Sequence, residues 1–403
     1  MAAPTEGPVN YEAFGAVGDG VADDLPAICK AHEYANAHNL PVRSKPNATY
    51  HLGRQALTAV IATDTDWSTS RFIIDDTDVE NHRKALFEVR SLLAPVELKI
   101  ERLRRDQAQV DVRPETDCWV QVESDAKRVY IRRGLNRNNG TAMRDCFIVR
   151  RDGTVEGAID WDYDTITRIE ARPIDEKPLL IKGGVFTTFA NRMKQEKGYN
   201  YWARNIVITR SNTEVDGLTH YVVGETAVGH PYSGFLSISR CANVTLRNCF
   251  VSGHKTYSTI GAAGKPVNMG SYDLSANQVI NLRLIGVRMN HILDSTRWGV
   301  IGTNYCKNIL LEDCVLSRMD VHQGVSGTYT IRRCELGYAG LNAIGRGTLL
   351  VEDSTLYGRA FISLRSDYGS TWEGDVVIRN CRWVPSGGQT CWPHLIHASN
   401  DGT

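Results

Sequence analysis

Between Asn205 and Val384 apolar residues fall at every second position, in short bursts that recur. Seven segments align on Asn205, Asn243, Asn281, Asn308, Thr328, Thr348 and Asp375. One position on stands Ile206, Val244, Leu282, Ile309, Tyr329, Leu349 or Val376, and three on stands Ile208, Leu246, Leu284, Leu311, Ile331, Val351 or Ile378. Six on stands Ser211, Cys249, Val287, Cys314, Cys334, Ser354 or Cys381. A period of two is the period of a strand. Starts 20 to 38 residues apart describe a solenoid with loops of unequal length between its strands. The segments lack the leucine-dense consensus of leucine-rich repeats and the 3.6-residue period of helical repeats. They predict an all-β chain, a right-handed parallel β-helix, with the hand taken from the usual sense of parallel crossovers. Cys249, Cys314, Cys334 and Cys381 would stack inside the coil as small buried hydrophobes.

The rest of the chain breaks this pattern in two places. Leu25 to His38 has helical spacing, with Ile28, Ala31, Ala35 and His38 on one face, Asp23 or Asp24 as cap and Pro26 in the first turn. Thr49–Gly53, Ala59–Ala62 and Asp64–Asp76 read as early strands, with Trp67 buried. From 91 to 180 charge density rises, and alternation at Trp119–Glu123, Val129–Arg132 and Phe147–Arg150 predicts a small antiparallel insertion. Its turns fall at Asn138-Asn-Gly and Arg151-Asp-Gly. Within it, Asp160-Trp-Asp-Tyr-Asp164 could stack on a sugar or pack one edge of the insertion. The organisation expected is a cap and first coils over 1–90, a β insertion over 91–180 and the main coil over 181–403.

The stretch Phe14-Gly-Ala-Val-Gly-Asp-Gly-Val-Ala-Asp-Asp24 followed by a helix resembles the N-terminal cap of the pectate-lyase-like β-helix superfamily. That superfamily holds polysaccharide-degrading enzymes and phage tailspikes, and the resemblance implies a helix covering the open end of the coil. It is specific for fold, not for chemistry. Asp19, Asp23 and Asp24 are read as turn and capping residues rather than metal ligands. The set of Asn-Thr-Asp, Asp-Asp, Gly-His-Gly and Arg-Ile-Lys motifs that polygalacturonase-type hydrolases carry on successive coils is not found here, and the acid cluster of calcium-dependent pectate lyases does not map onto this chain.

Composition narrows the partners. The 46 basic and 46 acidic residues balance, which argues against nucleic acid. No apolar run is long enough to span a bilayer. The start lacks a basic stretch followed by a hydrophobic one, so no signal peptide is read there, although the fold class suggests a secreted, cell-surface or periplasmic protein. Ten cysteines without a CxxC pair do not make a disulfide scaffold. The sequons at Asn139 and Asn243 are read as incidental. Pro393 to Thr403 carries no cap, so the expectation is either that the chain is cut short there or that a partner chain or distant segment covers that end, and an oligomer is compatible with the latter.

Candidate chemistry gathers in the links that follow the aligned strands. Lys255, Asp294 and Asp320 fall at nearly equivalent places on three consecutive turns, with His322 and Asn342 further along that face and Arg297 close by. Paired carboxyls are what glycoside hydrolysis requires, one to protonate the leaving oxygen and one to attack or to activate water. The expected catalytic residues are Asp294 and Asp320, with Asp367 in reserve and His322 orienting a carboxylate. Lys255, His291, Arg297, Arg318, Asn342, Arg365 and Glu373 are candidate polar contacts to substrate, and Trp298 and Trp372 candidate stacking walls. His220, His230, His254 and His291 taken singly read as structural or solvated. No cofactor is expected; calcium stays open, without a strong spacing signal. The function expected is a glycoside hydrolase acting on a polysaccharide or oligosaccharide. The alternatives are a polysaccharide lyase, with Lys255, His322 or an arginine as base at a uronate, and a non-catalytic glycan-binding or tailspike-like module.

Overall fold

The structure is a computed structural model and describes residues 6–190, 201–225, 232–269, 272–298, 301–385 and 394–399. His230, Pro393 and residues 400–403 lie outside the described residues.

Strand pairing in the coil is parallel and runs from turn to turn. Val244 pairs with Leu282, Leu282 with Ile309, Ile309 with Tyr329, Tyr329 with Leu349 and Leu349 with Val376. Twenty-five strands join in this way into one continuous hydrogen-bonded sheet. The chain is therefore a parallel β-helix, and six of the seven aligned segments stand in the expected register. The seventh does not. Ile206–Ile208 pairs with Leu236–Ile238, on another side of the coil, while Thr213–Asp216 is the segment that pairs with Val244–Arg247. Both stretches follow an asparagine and alternate apolar residues, so periodicity alone does not separate the two sides. Asn212, not Asn205, heads the first repeat.

That position carries an asparagine ladder. Nδ2 of Asn243 donates to Oδ1 of Asn212 at 2.8 Å, Asn281 to Asn243 at 2.8 Å and Asn308 to Asn281 at 3.1 Å. All four have positive φ, between 51° and 60°, a conformation asparagine tolerates better than most residues. Inside the coil the same logic stacks thiols: Cys249, Cys314 and Cys334 are buried and Cys381 is half-buried at the outer end.

The cap helix is Leu25–His38, and it buries Leu25, Ile28, Ala31 and Ala35 against the first coil. The buried histidine is His32 rather than His38, which is exposed. His32 accepts or donates at Tyr11 Oη, 2.9 Å away, and Trp67 Nε1 donates to the same hydroxyl. Burial pushes the His32 pKa down to about 3, so this histidine is neutral. The acids of the N-terminal motif serve the backbone. Asp19 accepts from Val21 and Ala22, Asp23 from Leu25 and Asp24 from Val17 and His51.

Cys118–Val129, Thr141–Val149, Val155–Glu156 and Arg168–Pro173 form a separate four-stranded antiparallel sheet. Arg151-Asp-Gly makes its tight turn, whereas Asn138-Asn-Gly closes a longer loop over 130–140. Trp119, Cys146 and Ile148 of this sheet, with Ile174, pack on Ala242 and Ile280 of the coil, and Trp119 Nε1 donates to Gln278 O at 3.1 Å. A buried ion cluster pins the contact: Lys307 Nζ of the coil lies 2.6 Å from Asp145 and 3.2 Å from Asp160. Asp160–Asp164 is divided, with Asp162 and Asp164 exposed and Tyr163 turned inward. Asp160 holds Lys307, Tyr163 is fully buried and Asp164 pairs with Arg104.

Removing Lys307 leaves buried Asp145 without its cation, beside Asp160, which keeps only Arg346 at 3.5 Å. Lys307→Ala is expected to cost about 3–5 kcal/mol at neutral pH in chemical denaturation. Burial already raises the Asp145 pKa to about 7. A raised carboxyl pKa favours folding at low pH and loses that contribution as pH rises through the folded value. The deficit should therefore shrink between pH 7 and pH 5; an unchanged deficit would mean that the pair does not carry the contact.

Candidate functional site

Asp320 ends the strand Val315–Asp320, next to Met319, whose side chain fills the coil interior. Alternation along the strand turns Asp320 outward, yet it is fully buried, because Arg318 on the same strand, His322 just beyond it and Arg365 close over it. Arg318 Nη2 contacts Oδ2, Arg365 Nη1 donates at 2.8 Å to Oδ1 and His322 Nε2 lies 3.0 Å from Oδ2. Arg365 then turns its other edge to Asp367, with Nη2 at 2.8 Å and Nε at 3.0 Å. Arg132, from the loop of the antiparallel sheet, adds a bond of 2.7 Å to Asp367, and Arg133 N donates to Asp367 O at 2.8 Å. Three aromatic rings border the cluster. Trp298 lies under Arg318 at 5.4 Å, and Tyr368 lies against both Arg132 and Arg365 at 5.5 Å. Tyr272 is close enough for its hydroxyl to feel Asp320, Arg318, Arg365 and Arg132.

Electrostatics decides what these acids can do. Burial alone would raise the Asp320 pKa, but Arg318, Arg365 and His322 overcome it and hold the carboxyl well below its usual range. Asp367 is lowered in the same way by Arg365 and Arg132 against its burial. His322 is pushed down by burial and by the two arginines, against the pull of Asp320. A neutral imidazole facing a carboxylate must carry its proton on Nε2. Asp320 and Asp367 are thus ionised and saturated, suited to holding guanidiniums and unsuited to giving up a proton.

A second group of buried ionisable residues sits one link away. Glu225 follows Thr219–Val223, His254 follows Phe250–Val251, and Asp273 is next to Tyr272 in Tyr272–Ile285. Glu225 Oε1 is 2.8 Å from His254 Nδ1 and accepts from Lys255 N, while His254 N donates to Asp273 Oδ2 at 3.2 Å. His254 Nε2 and Asp273 Oδ1 are 3.9 Å apart, beyond a hydrogen bond, and that Oδ1 is without a partner. Tyr232 stacks on His254 with centroids 4.5 Å apart and reaches Asp76, which is paired with the buried Arg204. Burial pushes Asp273 up to about 7, although His254 opposes it. Glu225 goes the other way, because His254 outweighs its burial.

The sequence-expected residues divide accordingly. Asp320, His322, Arg318, Arg365, Asp367 and Trp298 come together. Lys255, His291, Asp294 and Arg297 lie in two links that fold onto each other rather than in coil register. Lys255 bridges Arg297 in antiparallel fashion, and Asp320 is aligned with Gly302. Asp294 is 39% exposed and serves its own turn, accepting from Thr296 N and Oγ1 and pairing with Arg297 at 3.5 Å. His291 has positive φ and its carbonyl accepts from Asp294 N. No hydrogen bond or ion pair among the described residues joins Asp294 to Asp320. Asn342 stands a coil away and bonds Ala339 O. Trp372 and Glu373 belong to another side, where Glu373 meets Arg105. Reading the sequence missed Arg132, Tyr368, Tyr272, Glu225 and Asp273. Arg132 is signalled by nothing near it in the chain, and Asp273 only by an acid interrupting an apolar strand. His254, structural or solvated when read singly in the sequence, has a place between two acids that emerges only in three dimensions. Among the described residues no group of three or more His, Cys, Asp or Glu is arranged to hold a metal ion, and no helix is long and apolar enough to cross a membrane.

No family model matches the chain. In sequence it is similar to a capsule KL64-specific depolymerase of Klebsiella phage P510, 29% identical over 121 residues, which is 27% of this chain and 12% of that protein. The chain thus spans only a small part of the length of this curated relative. Among solved structures it is similar to PfbA, a surface adhesin of Streptococcus pneumoniae, with 14% identity and TM-score 0.46, covering 94% of this chain and 92% of that one. It is also similar to the Gp54 tailspike of Acinetobacter baumannii bacteriophage AP22, solved in complex with A. baumannii capsular saccharide, with 11% identity and TM-score 0.45, covering 97% and 77%. The tailspike gp61 of Pseudomonas phage phi297 gives 11% identity and TM-score 0.44, covering 99% and 78%.

Arg365 neutralises two carboxylates at once. Arg365→Ala is expected to cost about 3–5 kcal/mol in thermal or chemical denaturation, since buried Asp320 loses one of its cations. Arg365→Lys should recover only part, because an ammonium cannot bridge both acids with a fork. Equal stability of Arg365→Ala and the unchanged chain would show that the cluster is not bound as described.

Proposed function

We propose that the chain cleaves a polysaccharide by hydrolysis of its glycosidic bonds, at the face that carries these two groups. The observation that carries this reading is the placing of two carboxyls around one histidine, Glu225 at 2.8 Å from His254 Nδ1 and Asp273 accepting from His254 N at 3.2 Å, in surroundings that push Asp273 up and Glu225 down. Hydrolysis needs one carboxyl that keeps a proton near neutral pH and one that has lost it, and environments that push the two apart provide this. The depolymerase relative is named for a capsule, and a capsular or other surface glycan is the substrate class that similarity favours. A protein acting on such a glycan works outside the cell that makes it.

In this reading the Asp273 carboxyl gives its proton to the leaving glycosidic oxygen as the bond to the anomeric carbon breaks. Water adds to that carbon and passes a proton to Glu225, and His254 between the two acids returns it to Asp273. The acid role expected for Asp294 or Asp320 goes better to Asp273, because both of those carboxyls are held below their usual range, by Thr296 and Arg297 for one and by Arg318 and Arg365 for the other. Asp320 and Asp367 then position Arg132, Arg318 and Arg365, and Trp298 and Tyr368 offer ring faces to sugar.

A lyase is the second reading, favoured by the neutral His322 beside an arginine-rich surface. Product analysis separates the two. Incubation with a polysaccharide panel should give new reducing ends without the ultraviolet absorbance of an unsaturated sugar; that absorbance would establish elimination instead.

Asp273→Asn and Glu225→Gln are each expected to lower kcat by about a hundredfold or more. Asp273 is active when protonated, so the rate should fall as pH rises through about 7. Full activity in both variants, or a rate that climbs steadily above pH 7, would remove these residues from the chemistry.

A further inference from the structure

The arginine cluster around Asp320 has more positive charge than its acids cancel. Arg132, Arg318 and Arg365 face Asp320 and Asp367, and His322 is neutral, so one positive charge is left over. Arg365 is spent, with Nη1 on Asp320 and its other edge on Asp367. Arg318 and Arg132 flank it and are not. Arg318 gives only Nη2 to Asp320, and its buried Nε has no hydrogen-bond partner. Arg132 gives Nε to Asp367, and its side chain is 20% exposed. Uncompensated guanidinium charge with unused N–H groups in a half-buried site is unfavourable unless an anion answers it. The planar fork of a guanidinium matches the paired oxygens of a carboxylate, as it does those of a phosphate.

We propose that Arg132 and Arg318 form a subsite for a carboxylate carried by the glycan, a uronate or another acidic substituent, with Trp298 and Tyr368 bordering the sugar that bears it. Each of the two arginines lies over one of these rings, at 5.5 Å for Arg132 on Tyr368 and 5.4 Å for Arg318 on Trp298. Arg132 comes from the antiparallel sheet and Arg318 from the coil, so the subsite exists only where the two are docked. His322, Tyr272, Arg365, Asp320 and Asp367 are the other titratable or charged groups that face it. The inference rests on the reading that this face takes a glycan, and it adds the charge of that glycan.

Ligand-observed NMR with sodium glucuronate and with methyl glucoside, each on the full chain, tests it directly. Glucuronate should show saturation transfer and methyl glucoside should not. Arg132→Met should weaken glucuronate by about tenfold or more, the loss of a charge-assisted bond, and Arg132→Lys by less. The melting temperature checks that both variants fold, and Asp367 keeps Arg365 in either. Equal signals from the two sugars, no signal from glucuronate, or an undiminished signal in folded Arg132→Met would overturn the subsite. Displacement of glucuronate by an equal concentration of inorganic sulfate would overturn its carboxylate selectivity. On the polysaccharide panel, cleavage should be confined to carboxylated polymers and fall about tenfold or more after carboxyl reduction. Absence of product from every polymer would count against the hydrolase while the glucuronate measurement still decides the subsite.

Discussion

A parallel coil sets each side chain directly above its counterpart on the next turn, about 4.8 Å away, and this stacking constrains everything else in the molecule. Whatever occupies one position must tolerate a copy of itself or find a complement. Asparagines solve the problem by passing donor to acceptor along Asn212, Asn243, Asn281 and Asn308. Charged columns solve it by alternation: Arg332 lies between Glu312 and Glu352, and Arg333 reaches both Glu312 and Asp313. The Asp320 cluster obeys the same rule with a different outcome. Its acids are interleaved with arginines, and on the coil alone the count closes, Arg318 and Arg365 against Asp320 and Asp367; the surplus cation is Arg132, brought in by the loop of the antiparallel sheet.

The fold was legible because that stacking writes itself into the sequence. The apolar alternation after Asn243, Asn281, Asn308, Thr328, Thr348 and Asp375 is what an in-register coil needs, and the strands pair at those positions. The misplacement of the first repeat at Asn205 shows the limit of the signal: different sides of the coil have the same alternation, and only pairing tells them apart. His38 and His32 were exchanged for a similar reason, since both lie near the buried stripe and Tyr11 decides between them from a distant part of the chain. Of the site, the residues borne on the strands and links of neighbouring coils could be grouped: Arg318, Asp320, His322 and Arg365. Lys255 and Asp294 could not be placed, because links of unequal length fold on themselves and leave coil register. Arg132 could not be found at all, as its partner is 235 residues away.

The antiparallel sheet is therefore more than an appendage. Its packing through Trp119 and Ile148, and the Lys307 ion cluster, fix it at one end; the Arg132–Asp367 bond and the Arg133 backbone bond hold its loop at the other. Tyr130 adds an edge-on contact to Tyr305 of the coil, with centroids 5.5 Å apart. Each of these is a contact of side chains or loops between two sheets that share no strand, so the sheet could be exchanged or resized without disturbing the hydrogen bonding of the coil beneath it. Under the proposed function, variation of substrate preference can proceed in the sheet and its loop, while stability is inherited from the turns.

The column of interior cysteines has a consequence for how such a chain is made. The nine described cysteines are all free, and eight of them carry pKa values raised by burial or by a neighbouring thiol, which keeps those sulfurs protonated and unreactive. They contribute volume and weak hydrogen bonds, not cross-links. The packing of these described residues therefore needs no oxidant, and the interior of the coil can form with its sulfurs reduced.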